Sequence, residues 1–283
     1  MKDLTTNDLA ATTFALRASG RKALVAFLTA GYPDQTTFED LLLACADAGC
    51  DVIEIGIPFS DPIADGPVIQ AASNVALAQG VTLRSVLARL ARLSSRCPLV
   101  AMSYINPILR MGVDAFADAA RESGISGLIL PDVSFEESDA FRPALTARGL
   151  AYIDLVAPTS DDARLRAIAC ASSGFVYLVS VTGVTGVRNA LPAGVSELAG
   201  RVRTATETPV YVGFGVSTPE LAAELAPCAD GVIIGSRLMQ LAGDGHPGEA
   251  GRRVGDFLAG ARKAIDAAAG SPERTTTPPA HSC

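Results

Sequence analysis

Eight short apolar runs recur along the chain, at residues 23–30, 52–57, 99–104, 127–132, 152–157, 175–180, 209–215 and 231–236, each bounded by turn-forming residues. Between them lie segments with the 3.6-residue spacing of amphipathic helices, among them 36–49, 113–124 and 218–226. Glycines at 49, 124 and 149 close helices just before the next run begins, as the short connections of strand–helix units require. The runs are nearly continuous in Val, Ile, Leu and Ala, which is how strands covered on both faces read. An open doubly wound sheet would carry a G-x-G-x-x-G turn after its first strand, whereas here the first run leads into Gly31-Tyr-Pro-Asp34. The pattern therefore predicts an α/β chain closed into one barrel of eight strand–helix units, with an extra N-terminal helix near Leu9 to Ser19. Two longer blocks, 67–95 and 182–195, predict long loops after the second and sixth strands, on the face where such barrels place their chemistry. At 283 residues the chain fits one domain, expected over 1–270, with a Ser-, Thr- and Pro-rich disordered tail at 271–283.

The second run is interrupted by a charge. Alternation along a strand puts Val52, Glu54 and Gly56 on one face and Ile53, Ile55 and Ile57 on the other. The isoleucines suit the helix layer, so Glu54 is expected inside the barrel, where none of the eight runs supplies a Lys or Arg to pair with it. Burial without a counter-ion raises a carboxyl pKa and lets it exchange protons near neutrality. The structural alternative is a glutamate held by a neighbouring hydroxyl such as Tyr177 or Tyr104. Asp65, in the loop that follows, is a candidate second carboxylate, although Asp-Gly pairs also mark ordinary turns. Asp61 reads as a turn or interface residue, and Asp132 and Asp154 as structural.

The last two strands end in Gly213-Phe214-Gly215 and Gly235-Ser236, and Thr182-Gly-Val-Thr-Gly-Val-Arg188 follows the sixth. Glycine-rich loops at these positions offer backbone N–H groups to a phosphate without any lysine. Gly183 and Gly186 would also let their loop hinge over a substrate. Lysines occur only at 2, 22 and 263, away from strand ends, and histidines only at 246 and 281. Schiff-base chemistry, a histidine metal site and a Ser-His-Asp triad are therefore not expected, and neither is a cofactor. A net charge of −7 argues against a nucleic-acid surface, and no apolar run approaches the roughly 18 residues that span a bilayer. Six scattered cysteines and no signal peptide predict free thiols in the cytoplasm.

The segment Ile55-Gly-Ile-Pro-Phe-Ser-Asp-Pro-Ile-Ala-Asp-Gly-Pro67 resembles the signature of the tryptophan synthase alpha subunit family. The likeness extends in family order through Phe27-Leu-Thr-Ala-Gly-Tyr-Pro33, Met102-Ser-Tyr-Ile-Asn-Pro107, Leu130-Pro-Asp132, Gly183-Val-Thr-Gly186, Gly213-Phe-Gly215 and Gly235-Ser236. The resemblance implies a TIM barrel that cleaves indole-3-glycerol phosphate to indole and glyceraldehyde 3-phosphate. It implies Glu54 as the acid–base residue and Asp65 as the carboxylate that meets the indole N–H. Tyr177 would position Glu54, and Thr185 would meet Asp65 as the loop closes. Phe27 and Met102 would line the indole pocket, while Gly186, Gly213, Phe214, Gly215, Gly235 and Ser236 would surround the phosphate. It further implies a beta subunit as partner in an alpha-beta-beta-alpha heterotetramer, docked through the loop 58–62 and the segment around Asn106 and Pro107. Val181 departs from the family, some members of which carry an arginine there. A free-standing lyase and a non-catalytic regulator of the beta subunit are the competing readings.

Overall fold

The computed structural model describes residues 8–179, 194–213 and 215–270. Nine parallel strand segments form one sheet: β1 (Ala23–Thr29), β2 (Val52–Gly56), β3 (Leu99–Met102), β4 (Ile125–Ile129), β5 (Ala151–Tyr152), β6 (Leu155–Val156), β7 (Val176–Val179), β8 (Val210–Gly213) and β9 (Gly231–Ile234). Their spatial order is β5-β4-β3-β2-β1-β9-β8-β7-β6. The two ends of that order are consecutive in the chain, since only Ile153 and Asp154 separate β5 from β6. Ile153 N–H donates to Leu128 C=O on one side, and Asp154 C=O accepts from Tyr177 N–H on the other. β5 and β6 are thus the single fifth run of the sequence, and the sheet curls round to a barrel there.

The fifth strand is broken for a local reason. The N–H groups of Tyr152 and Asp154 are taken by the hydroxyls of Ser173 (2.8 Å) and Ser172 (3.0 Å), so side chains replace part of the ladder toward β7. The block after β2 also differs from its expectation as a long loop. Residues 57–66 are loop, but the rest folds into helices Pro67–Ala78 and Leu83–Leu90, the second started by a Thr82–Ser85 capping box. The expected loop at 182–195 and the tail at 271–283 fall almost wholly outside the described residues.

Two apolar clusters divide the molecule. Ile53, Ile55, Leu99, Leu128, Leu178 and Val212 pack outward against the helices, while Val25, Val52, Val100, Ile129, Ile153, Phe175, Tyr211 and Ile233 fill the shaft. Leu9, from the helix Leu9–Ser19, belongs to the inner cluster and closes its lower end. A Cβ on Gly127 or Gly174 would lie 2.9 or 2.8 Å from Leu9 Cδ2, so both glycines leave room for this plug. Thr13, one turn on, donates to Gly174 C=O at 2.6 Å and fixes the helix against the barrel. Cys45, Cys50, Cys97 and Cys228 are free thiols as expected. Cys170 is not, because it is disulfide-bonded.

Candidate active site

Glu54 lies in the middle of β2, in register with Phe27 of β1 and Val100 of β3. Val52, two residues before it, is in the shaft cluster, and Ile53 and Ile55 are in the helix-facing one, so the alternation read from the sequence holds. Its side chain is 1 % exposed, and among the described residues neither carboxyl oxygen has a hydrogen-bond partner. The hydroxyl-held alternative therefore does not describe it, and no hydrogen bond ties Tyr177 to it. Burial first, and the charge of Asp65 second, push the Glu54 pKa from 4.5 to about 8. A carboxyl raised in the folded state contributes nothing below its unfolded pKa and destabilises as pH rises toward the folded one. Keeping Glu54 in place at pH 7 thus costs roughly 3 kcal/mol of stability.

Asp65 ends the loop 57–66, immediately before Gly66, which caps the helix Pro67–Ala78. It is 7 % exposed, and burial raises its pKa to about 6, with the nearby Tyr104 hydroxyl opposing the rise. The same Tyr104 oxygen accepts the Ala64 N–H at 3.0 Å, and its ring stacks on Phe59 at 5.1 Å. Tyr104 was named from the sequence only as a possible neighbour of Glu54. Its hydroxyl instead accepts from the Ala64 N–H, 40 positions earlier in the chain, a pairing that no local periodicity encodes. Tyr177 lies near both carboxylates, because burial first and then the charges of Glu54 and Asp65 push its pKa upward.

The mouth is shaped by close approach. A Cβ on Gly56 would fall 2.4 Å from Phe27 Cζ, and one on Gly235 would fall 3.3 Å from Phe27 Cβ, so the Phe27 side chain runs between the ends of β2 and β9. Met102, in register with Gly56, is half-buried and touches both apolar clusters. A Cβ on Gly213 would sit 2.5 Å from the Tyr177 hydroxyl. Beyond β8, Gly215 takes a φ of 68°, and beyond β9, Gly235 caps the helix Ser236–Gly243. Ser236 is the first residue of that helix and is buried, so its N-terminal amides open at the ends of neighbouring strands β8 and β9. Thr185, Gly186, Phe214 and Val181 lie outside the described residues.

The remaining carboxylates have structural work. Both oxygens of Asp132 accept the Ile105 N–H at 3.1 Å, and Asp154 pairs with Arg142 at 2.5 Å. Asp61 is exposed and accepts from Ser60. Among the described residues no cluster of His, Cys, Asp and Glu is arranged to hold a metal ion. The arrangement presents a buried acid beside a more readily ionised carboxylate, with the N-terminus of the helix Ser236–Gly243 just beyond β9.

The chain is similar to known proteins over most of its length. A family model described as tryptophan synthase alpha chain matches residues 14–260. The chain is 46 % identical to the tryptophan synthase alpha chain of Geobacter sulfurreducens over 256 residues, covering 89 % of this chain and 97 % of that one. It is 48 % identical to the same protein of Burkholderia pseudomallei over 261 residues, covering 90 % and 95 %. Among solved structures, Mycobacterium tuberculosis tryptophan synthase superposes with a TM-score of 0.84 at 40 % identity, covering 91 % of this chain and 97 % of that one. Tryptophan synthase subunit alpha from Legionella pneumophila does so with a TM-score of 0.83 at 35 % identity, covering 92 % and 99 %.

Proposed function

Because the chain belongs to the tryptophan synthase alpha chain family, we infer that Glu54 and Asp65 are the residues that carry its chemistry. That chemistry is the cleavage of indole-3-glycerol phosphate, a lyase reaction. The observation that carries the assignment is the placement of Glu54, buried in the shaft without a hydrogen-bond partner among the described residues and near enough to buried Asp65 for that charge to act on it. At neutral pH Glu54, at about 8, is predominantly the acid, and Asp65, at about 6, predominantly the anion. Glu54 would protonate indole C3, and Asp65 would accept the indole N–H as the ring becomes cationic. Glu54, now ionised, would take the glycerol hydroxyl proton; the carbon–carbon bond then breaks, its electron pair returns to the ring, and the oxygen becomes the aldehyde of glyceraldehyde 3-phosphate.

Phe27, Met102 and Tyr177 would enclose the indole, with Thr185 meeting Asp65 from the loop above. Gly213, Gly215, Gly235 and Ser236, with Gly186 and Phe214, would hold the phosphate through backbone N–H groups. The free-standing and non-catalytic readings are not favoured, and the beta chain is the partner that family membership supports. In our reading the partner forms an alpha-beta-beta-alpha assembly in the cytoplasm. Its docking face includes Ile63, 76 % exposed on the loop 57–66, and Leu109, 53 % exposed on the helix Ile105–Met111. Among the described residues no helix is long and apolar enough to cross a membrane.

The assignment is tested by the pH dependence of kcat/KM for indole formation in the presence of a beta chain. Activity should rise as Asp65 ionises through about 6 and fall as Glu54 loses its proton through about 8. As the groups interact, the two limbs belong to the pair. A profile that is flat from pH 5 to 9 with chemistry rate-limiting would refute it.

A further inference from the structure

The fifth strand carries a buried carboxylate on its helix-facing side. Asp154 alternates with Ile153, which fills the shaft, and so shares a side with Tyr152 and Val156 of the outer cluster. It lines a cavity of about 240 Å³ between the turn after β4, the start of the helix Phe135–Ser138 and the helix Asp162–Ala171. That space is many times the roughly 10–15 Å³ that one water needs, and just under the roughly 300 Å³ at which small-molecule pockets begin. Leu130, Phe135, Tyr152 and Ile168 make its wall largely apolar, and none of the residues assigned above to the active site lines it.

The Asp154 side chain is 5 % exposed. Its Oδ1 accepts from Arg142 at 2.5 Å, whereas Oδ2 is buried and has no partner among the described residues. Arg142 is not free to turn toward it. The guanidinium also donates to the Ser138 hydroxyl (2.9 Å) and to Ala171 C=O (3.0 Å), and its carbon lies 4.5 and 5.5 Å from the ring centres of Tyr152 and Phe135. Two other polar residues of the wall are engaged as well, Ser134 with Glu137 and Arg164 with Glu136. Buried acceptors are ordinarily paired, because one left without a donor costs the fold its desolvation.

We propose that this cavity is a binding site for a small, uncharged, largely apolar molecule with one N–H or O–H donor, which bonds Asp154 Oδ2. Charge balance selects that class. Arg142 already neutralises Asp154, so a cation would carry an unmatched charge into an apolar space beside a guanidinium, and an anion would face the carboxylate. Indole, the product of the family's reaction, has this chemistry: a flat apolar body and a single N–H. The site stands apart from the roles given to Glu54 and Asp65.

The test uses the full chain with halogenated indoles as probes. In crystals soaked with bromoindole, anomalous scattering should place bromine in this cavity, with the indole nitrogen within hydrogen-bond distance of Asp154 Oδ2. In solution, fluorine NMR with fluoroindole should show a saturable site that A157F abolishes. That variant fills the cavity, leaves Asp154 and Arg142 unsubstituted, and should keep indole formation with an added beta chain within about twofold. N-methylindole, which lacks the donor, should bind this site about ten- to a hundredfold more weakly, and benzylamine, a cation of similar size, should not displace the probe. The bromine map and the two competitors decide the matter even if A157F folds poorly. Ordered water alone on Oδ2 in the soaked crystals, binding unchanged in A157F, equal affinity for N-methylindole, or displacement by benzylamine would each overturn the proposal.

Discussion

On the proposed reading, Glu54 is a single buried group that serves chemistry at the expense of the fold. Replacing it with Gln removes the ionisation without changing shape, so E54Q should lose about 10²- to 10⁴-fold in turnover. The same variant should be more stable by about 2 to 3 kcal/mol at pH 7 and unchanged near pH 4.5, as urea unfolding at the two pH values will show. A variant that lost activity without gaining stability at neutral pH would mean that Glu54 is paired or neutral for another reason. Gly213 makes a second residue-level case. G213A would drive its methyl group into the Tyr177 hydroxyl 2.5 Å away, and turnover should drop about tenfold through misplacement alone. Glu54 was legible because its neighbours alternate with a period of two, which fixes the side a residue faces. The contact of Tyr104 with Ala64 was not, because a hydrogen bond between two loops depends on how the barrel closes.

At the scale of elements, the runs of apolar residues marked every strand, and the helix Leu9–Ser19 falls where its spacing put it. Two elements were read less well. Ser172 and Ser173 look like ordinary turn residues in the sequence, yet their hydroxyls interrupt the fifth strand. The block after β2 holds helix starts at Pro67 and Thr82, but the loop-like composition just before it obscured them. The N-terminal helix also yields a prediction. L9A removes the plug from beneath a well-packed shaft and should cost about 2 to 4 kcal/mol, measured by denaturation, with KM little changed because the site is at the opposite end.

For the whole molecule, the proposed reading puts the chemistry on the same face as two exposed apolar residues, Ile63 and Leu109. Introducing a charge there, in I63D or L109D, should weaken association with a beta chain by about tenfold or more in sedimentation experiments and leave the isolated chain's melting temperature within a few degrees. Undiminished association in both would move the docking surface elsewhere. The plug formed by Leu9 has a consequence for traffic. With a floor beneath it and Val25, Val52, Val100, Phe175 and Tyr211 stacked above that floor, the vessel is a cul-de-sac along its described length. On the proposed reading, newly released indole cannot drain past Leu9 and leaves by the open end, the one on which a neighbour would sit.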